Sequence, residues 1–328
     1  MPRWKCKRSC LIASKITLSN IGIQALQRAK TRQGLLFTLP NKFGLLCARN
    51  LVSMIVIDLA INTDLVHNIL VRFVKTEITR AGFSRAVVNL SGGLDSAVSI
   101  VLAAEALGAQ NVLAVRLPYK TSGPDSLEHA QMLIDQLGTP SVTIPITDMV
   151  DPLIAHEPEM TQIRKGNIMA RVRMIVAYDQ SEAFKGLVVG TSNKTEILLG
   201  YTTLFGDSAY AINPIGDLYK TQVRQLARTL DIPAVIIEKA PTADLWQGQT
   251  DEGELGFTYE EVDKLLYLLV DQRYSPQECV EAGFDEKFVR SVAVRVRRNQ
   301  YKRVMPPVAK ISSRTVGYDF LYLRDWGT

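Results

Sequence analysis

Six consecutive residues, Ser91-Gly92-Gly93-Leu94-Asp95-Ser96, carry the densest chemistry in this 328-residue chain. Two glycines, two hydroxyls and a carboxylate stand between a short apolar run (Val87, Val88, Leu90) and a helical stretch. The glycines allow backbone angles and close approaches that side chains forbid. Free N–H groups at the start of the helix that Ser96 opens, with serine hydroxyls beside them, suit an anion. Asp95 adds a carboxylate next to that anion. A carboxylate beside bound phosphates suits Mg²⁺, which takes oxygen ligands and shares those of phosphates. The loop lacks the Gly-Lys-Ser/Thr ending of a Walker A motif. A plain Gly-rich turn is the bland alternative, disfavoured because Ser, Asp and Ser are all placed between a strand and a helix.

Further polar residues follow in order. Arg116 ends an apolar strand, as a satisfied structural arginine or as a contact to nucleotide phosphate or sugar. Arg171 and Arg173 lie two apart in a helix and so face different directions; a solvated helix face explains them equally well. Thr191 and Ser192 are placed as helix caps, which leaves Glu196 over as a partner for Asp95 in a magnesium site. Asp207 follows a glycine and is explained by a turn alone. Asp217 is an ordinary N-cap candidate ahead of a helix over Thr221–Leu230. Lys220, at the start of that helix, opposes the helix dipole, and a cation kept there hints at an anionic ligand.

The elements that must position these residues alternate strand and helix. A helix over Asp64–Gly82 precedes strand Ala86–Leu90, a helix to Leu107, strand Val112–Leu117, helix Ser126–Leu137, strand Ser141–Ile146, helices through Phe184 and strand Leu187–Gly190. That order predicts an α/β fold, a doubly wound parallel sheet of Rossmann-like type with helices on both faces. Ligands of such sheets sit beyond the carboxyl ends of the strands, where the loop, Arg116 and Thr191 fall. Helices are also predicted at Thr258–Val270 and Glu286–Arg298. Between them and Pro241, the polar segment through Leu255 has no periodicity and reads as a loop or lid, mobile without ligand.

Charge divides the chain. Residues 1–53 hold ten of the 38 basic residues and no acidic one, leaving 28 basic against 33 acidic, a net of −5, for the rest. The first 53 residues read as a basic extension with little order, either a presequence or translated upstream sequence ahead of a true start at Met54. Residues 54–328 then form the functional domain. Their acidic balance argues against nucleic acid. No apolar run approaches the ~20 residues of a membrane span. Only Cys279 lies outside the extension, so no disulfide framework exists; a reducing, cytoplasmic setting fits.

The loop resembles the pyrophosphate loop of the ATP pyrophosphatase superfamily, whose fold is of the adenine nucleotide alpha-hydrolase type and whose members split ATP into AMP and pyrophosphate. Lys165–Arg173, Gly190–Glu196, Tyr201 to Asp207, Pro241-Thr242-Ala-Asp-Leu245 and Tyr301-Lys302-Arg303 add a narrower likeness. Together they resemble the ammonia-dependent NAD synthetase family from about Met54 to the C-terminus. The resemblance implies a homodimer that uses ATP, Mg²⁺ and ammonia to amidate deamido-NAD through an adenylated intermediate. It implies ATP contacts at Ser91, Gly92, Gly93, Asp95, Ser96, Thr191, Lys220 and Thr242, and metal ligands at Asp95 and Glu196. Deamido-NAD contacts are implied at Arg171, Asp207, Tyr301 and Lys302, with Asp207 guiding ammonia or its proton. Asp95, Lys220 and Asp207 are the candidate catalytic residues.

The chain departs from the family at three places: Tyr301 where many members have His, and Leu204 and Ala211 where one branch has Lys and Asp. Only 90 residues precede Ser91, too few for the amidase domain of glutamine-dependent members. Free ammonia, or ammonia from a separate delivering protein, is the expected donor. The rivals are a tRNA-modifying or GMP-synthetase-like ligase of the same superfamily, and a nucleotide-binding protein without catalysis. The acidic balance speaks against tRNA, and two candidate metal carboxylates speak against loss of chemistry.

Overall fold

The computed structural model describes residues 57–242, 246 and 248–320, all within the unit Ser53–Thr328. The basic extension, the start at Met54, and Asp244 and Leu245 of the expected lid lie outside the described residues. Four parallel strands form one sheet in the order β3-β2-β1-β4: β1 (Ala86–Asn89), β2 (Val112–Arg116), β3 (Ser141–Thr143) and β4 (Leu187–Val189). Register pairs Val87 with Leu113 and with Val188.

Side chains alternate across a strand, and the core divides accordingly. Ala86, Val88, Val112 and Ala114 join one apolar cluster with α1 (Thr63–Arg80), α2 (Leu94–Leu107) and α3 (Pro124–Leu137). Val87, Leu113 and Val115 join another with α4 (Thr147–Ala155) and α5 (Gln162–Phe184). Both sheet faces are therefore covered, as expected for the doubly wound class. This double covering is why β1 and β2 read as continuous apolar runs rather than alternating ones.

Beyond β4 the chain forms α6 (Lys194–Leu199), α7 (Lys220–Ala227), α8 (Ala234–Glu238), α9 (Asp251–Leu255), α10 (Tyr259–Leu266), α11 (Pro276–Glu281) and α12 (Glu286–Arg298). Val262, Leu265, Val289 and Val292 centre a third cluster, made largely by α10 and α12. Cys279, buried and a free thiol, packs there. No described helix is long and apolar enough to cross a membrane.

Several boundaries differ from those the sequence suggests. Helix α2 starts at Leu94, so Asp95 and Ser96 sit in its first turn rather than ahead of it. Helix α7 starts at Lys220 with Tyr219, not Asp217, at the cap; the Asp217 carboxylate lies 3.1 Å from Lys194 Nζ instead. The cap of α6 is Asn193 rather than Thr191 or Ser192. The helix expected to Val270 ends at Leu266 and widens into a π turn over Tyr267–Asp271. The segment expected to be a loop to Leu255 contains α9, which Thr250 caps through Gly253 N–H. Five residues are too few for apolar periodicity to reveal, which is why the helix is silent in the sequence.

Candidate active site

The loop after β1 is shaped by one glycine. Gly92 has φ +77°, and a Cβ there would sit 2.0 Å from the Ser126 carbonyl oxygen. No side chain fits that conformation and that contact together. Gly93 is extended and caps α2 without any side-chain acceptor. The opening N–H groups of α2 therefore meet no side-chain cap, and the helix dipole adds to their positive potential. Ser96 Oγ donates to Gly93 O at 2.9 Å and lies 3.0 Å from Ser91 Oγ, which fixes both hydroxyls beside that helix start.

Three elements meet there. The Lys220 ammonium, at the first position of α7, pairs directly with Asp95 Oδ2 and lies 3.7 Å from Glu196 Oε1. Lys220 is 3% exposed. Burial alone would lower its affinity for a proton; Asp95 and Glu196 outweigh that and hold it above the ordinary lysine range. Glu196 responds in the opposite sense. Burial first, then the negative charge of Asp95, push its carboxyl well above the usual range, against the pull of Lys220. The cationic start of α7, unfavourable by itself, is thus explained by these two carboxylates.

Asn193 binds the pair together. It is fully buried, its Nδ2 donates to Asp95 Oδ1 at 3.0 Å, and its Oδ1 accepts the Glu196 N–H at 3.0 Å. Glu196 Oε2 in turn accepts the Asn193 N–H at 3.3 Å, closing a capping box. Capping thus occupies one oxygen of Glu196 and leaves the other toward Lys220. The spacing of an Asn three residues before a Glu is the capping-box signature, which is the one local signal of Asn193 in the sequence.

Asp95 and Glu196 converge on one cationic position. Two hard oxygen donors beside an anion-seeking helix start fit Mg²⁺, which typically takes one or two carboxylates and completes its shell with phosphates and water. Among the described residues no group of three His, Cys, Asp or Glu is arranged for a metal, so any ion at the pair needs those further oxygens.

A cavity of about 530 Å³ opens from this cluster beyond the strand ends. Ser91, Gly93, Asp95, Ser96, Arg116, Thr191, Glu196, Lys220 and Thr242 line it, as do Asp207 and Lys302. Arg116 donates to Gln131 Oε1 at 2.6 Å while its Nε is buried without a partner, so it is partly structural and partly unsatisfied. Asp207 accepts the Thr203 N–H at 2.7 Å, and desolvation raises its carboxyl against the pull of that N–H and of Lys302. Lys302 donates to the carbonyls of Gly200 and Thr202 at 2.8 and 2.7 Å, and burial lowers its ammonium.

Gly92, Arg171 and Tyr301 do not line the cavity. Gly92 acts through the turn. Arg171 is exposed and donates to the Leu204 carbonyl at 3.3 Å; Tyr301 is 59% exposed. It is Arg173 that reaches the cavity, with Nε donating to Leu117 O at 3.1 Å. Asp251, read in the sequence only as part of a loop, is 5% exposed, lines the cavity and accepts from Tyr259 Oη at 3.1 Å. Lys239 also lines it, 2.9 Å from Ser126 Oγ, with no local pattern to announce it.

The chain is similar to known proteins over most of its length. A model of the NAD synthase family matches residues 66–306. The chain is 56% identical over 269 residues to the NH(3)-dependent NAD(+) synthetase of Chlorobium phaeovibrioides, covering 82% of this chain and 97% of that one. Among solved structures it is similar to NMN synthetase from Francisella tularensis, with 32% identity, a TM-score of 0.68, and 77% of this chain and all of that one covered. It is also similar to an NH3-dependent NAD synthetase from Campylobacter jejuni, with 31% identity, a TM-score of 0.66, and 76% and 100% covered. With its pyrophosphate-type loop and its match at nearly full relative length, this chain belongs to the NAD synthase family.

Proposed function

We propose that this chain amidates deamido-NAD with ammonia, splitting ATP to AMP and pyrophosphate, the last step of NAD formation. The observation that carries the reading is the Asp95–Lys220–Glu196 cluster beside an uncapped helix start, in a chain that spans 97% of an ammonia-dependent relative.

The chemistry follows from the residues. A carboxylate is a poor acceptor for an amine, so the nicotinate carboxylate oxygen first attacks the α-phosphorus of ATP. The bond from that phosphorus to the bridging oxygen breaks, and charge gathers on the leaving pyrophosphate. The α2 N–H groups, the Ser91 and Ser96 hydroxyls and the Lys220 ammonium are fixed before reaction, and such groups stabilise developing charge without reorganising. Asp95 and Glu196 would hold Mg²⁺, which when bound would supply further positive charge to phosphate oxygens. Thr191, Thr242 and Arg116 line the ATP end. Ammonia then attacks the activated carbonyl carbon, AMP leaves with the bond electrons, and the amide nitrogen gives up a proton. Asp207, with its raised carboxyl, sits in the cavity with Lys302 and guides ammonia or takes that proton.

Arg171 and Tyr301 lie outside the cavity of one chain, and a homodimer accounts for them. Ile163, Arg171, Ile175 and Tyr178 share one face of α5, and the three apolar ones are exposed. A second copy on that face would cover them and bring deamido-NAD within reach of Arg171. Residues 54–328 form the active domain, in a cytoplasmic setting, with ammonia taken free or from a separate delivering protein.

The test is a product assay with ATP, Mg²⁺ and deamido-NAD. Ammonium chloride supports NAD formation, with AMP and pyrophosphate in equal amounts, and glutamine alone does not. The structural likeness to NMN synthetase makes nicotinate mononucleotide the substrate to run beside it. Preference for the mononucleotide, or ADP as product, overturns the reading. A chain begun at Met54 retains full activity, and sedimentation finds a dimer.

A further inference from the structure

A buried carboxylate lies beneath the reactive cluster, outside the cavity. Asp263, in α10, is fully buried and does not line the cavity. A carboxylate so enclosed is strongly disfavoured unless its oxygens are matched, and both are. Oδ1 accepts the Thr195 hydroxyl at 2.5 Å, and Oδ2 accepts the Thr221 N–H at 2.9 Å. The Thr195 oxygen, its single proton committed to Asp263, accepts the Lys220 N–H at 3.0 Å.

The first two N–H groups of α7 therefore end at Asp263, one directly and one through Thr195. Tyr219, at the cap position, supplies no side-chain acceptor to them. Thr195 precedes Glu196 in the first turn of α6. One carboxylate thus joins the first turn of the helix that carries Glu196 to the first turn of the helix that carries Lys220. Tyr259, four residues earlier on the same face of α10, has its ring centroid 5.4 Å from Lys220 Nζ. Helix α10 holds Lys220 at its backbone through Asp263 and at its ammonium through Tyr259.

We infer that Asp263 and Thr195 form a positioning pair that sets Lys220 against Glu196 and so keeps the phosphates of ATP in register for attack, an inference that rests on the ATP-using reading above. The pair is chemically specific. Both neighbours of the Asp263 carboxylate are donors, so an asparagine would turn its own N–H toward one of them. Thr195→Val keeps the shape but removes the acceptor for Lys220 N–H. Thr195→Ser keeps the hydroxyl.

The experiment compares the full chain with T195V, T195S and D263N. It measures kcat and both KM values with Mg²⁺, ATP affinity by calorimetry without deamido-NAD, and melting temperature, so that rates are read well below unfolding. In T195V kcat falls on the order of 10²-fold, the scale of an ~1 Å misplacement, while KM for deamido-NAD stays within about threefold. ATP affinity falls in the same variant. T195S stays within about threefold of the parent in kcat, since the geometry is kept. D263N follows T195V; if it does not fold, the threonine pair decides alone. A T195V protein that melts lower but keeps parental kcat and ATP affinity overturns the inference, as does a T195S protein as impaired as T195V. If the parent makes no NAD, the assigned reaction fails and the ATP affinities decide the positioning role by themselves.

Discussion

The two ends of the cavity are built differently. At the end we assign to ATP the reactive cluster is tied down inside the chain: Lys220 by Asp95 and Glu196, those two by Asn193, and α7 by Asp263. At the other end Lys302 spends its ammonium on two backbone carbonyls, Arg171 rests on the Leu204 carbonyl in solvent, and Tyr301 is exposed. Stabilising charge on a leaving pyrophosphate depends on groups fixed before the reaction, and the ATP end has them. Recognition of a long dinucleotide needs area and reach, which one chain leaves unfinished. The contrast separates a preorganised chemical centre from a recognition surface completed by something else, in our reading a second copy.

The sharpest way to break that comparison is at the carboxylates. Asp95→Asn lowers kcat by at least ~10²–10³, the usual cost of removing a group that acts on transition-state charge. Glu196→Gln behaves alike. The double variant is little worse than either, because groups acting as a unit are not additive. Rates at saturating ATP and Mg²⁺ measure all three, and a near-normal Asp95→Asn would end the claim of a preorganised centre.

The recognition end answers more mildly. Arg171→Ala raises KM for deamido-NAD about tenfold, as loss of one charge-assisted hydrogen bond does, with KM for ATP unchanged. A shift in ATP affinity instead would mean that the two ends are not separate. Asp207 gives a test by pH. Desolvation raises its carboxyl, so it keeps its proton to higher pH than an ordinary aspartate. Activity that needs the carboxylate therefore rises with pH through that raised value. Free ammonia rises as well, so rates are compared at constant free NH₃. The remaining acid limb is present in the parent and flattened in Asp207→Asn.

The smallest effect is on stability. Burial and Asp95 disfavour the ionised Glu196, so the folded apoprotein carries that repulsion near neutral pH. Glutamine at the same place still closes the capping box. Glu196→Gln therefore melts about 2–4 °C higher without ligands, as ~1 kcal/mol gives in a domain of this size. A lower melting point would show that the cap and the Lys220 pair outweigh the repulsion.

Much of this was legible in the residues themselves. The loop, the strand–helix alternation and the polar residues at strand ends are local patterns, and local patterns follow from backbone geometry and periodicity. They were enough for the fold class and for part of the cavity wall, and the combined motifs carried the resemblance to the family. What they could not decide is which groups meet. Asp95 and Lys220 are 125 residues apart, and Thr195 and Asp263 are 68; no spacing rule links them, because α6, α7 and α10 come together only in the folded chain. The same packing turned Asp251 from a loop residue into a cavity wall, sent Arg173 inward and Arg171 outward, and made Glu196 a partner in a capping box as well as a ligand candidate. Chemistry by residue type was written along the chain, but the pairing of charges depended on burial, which only the assembled tertiary structure sets.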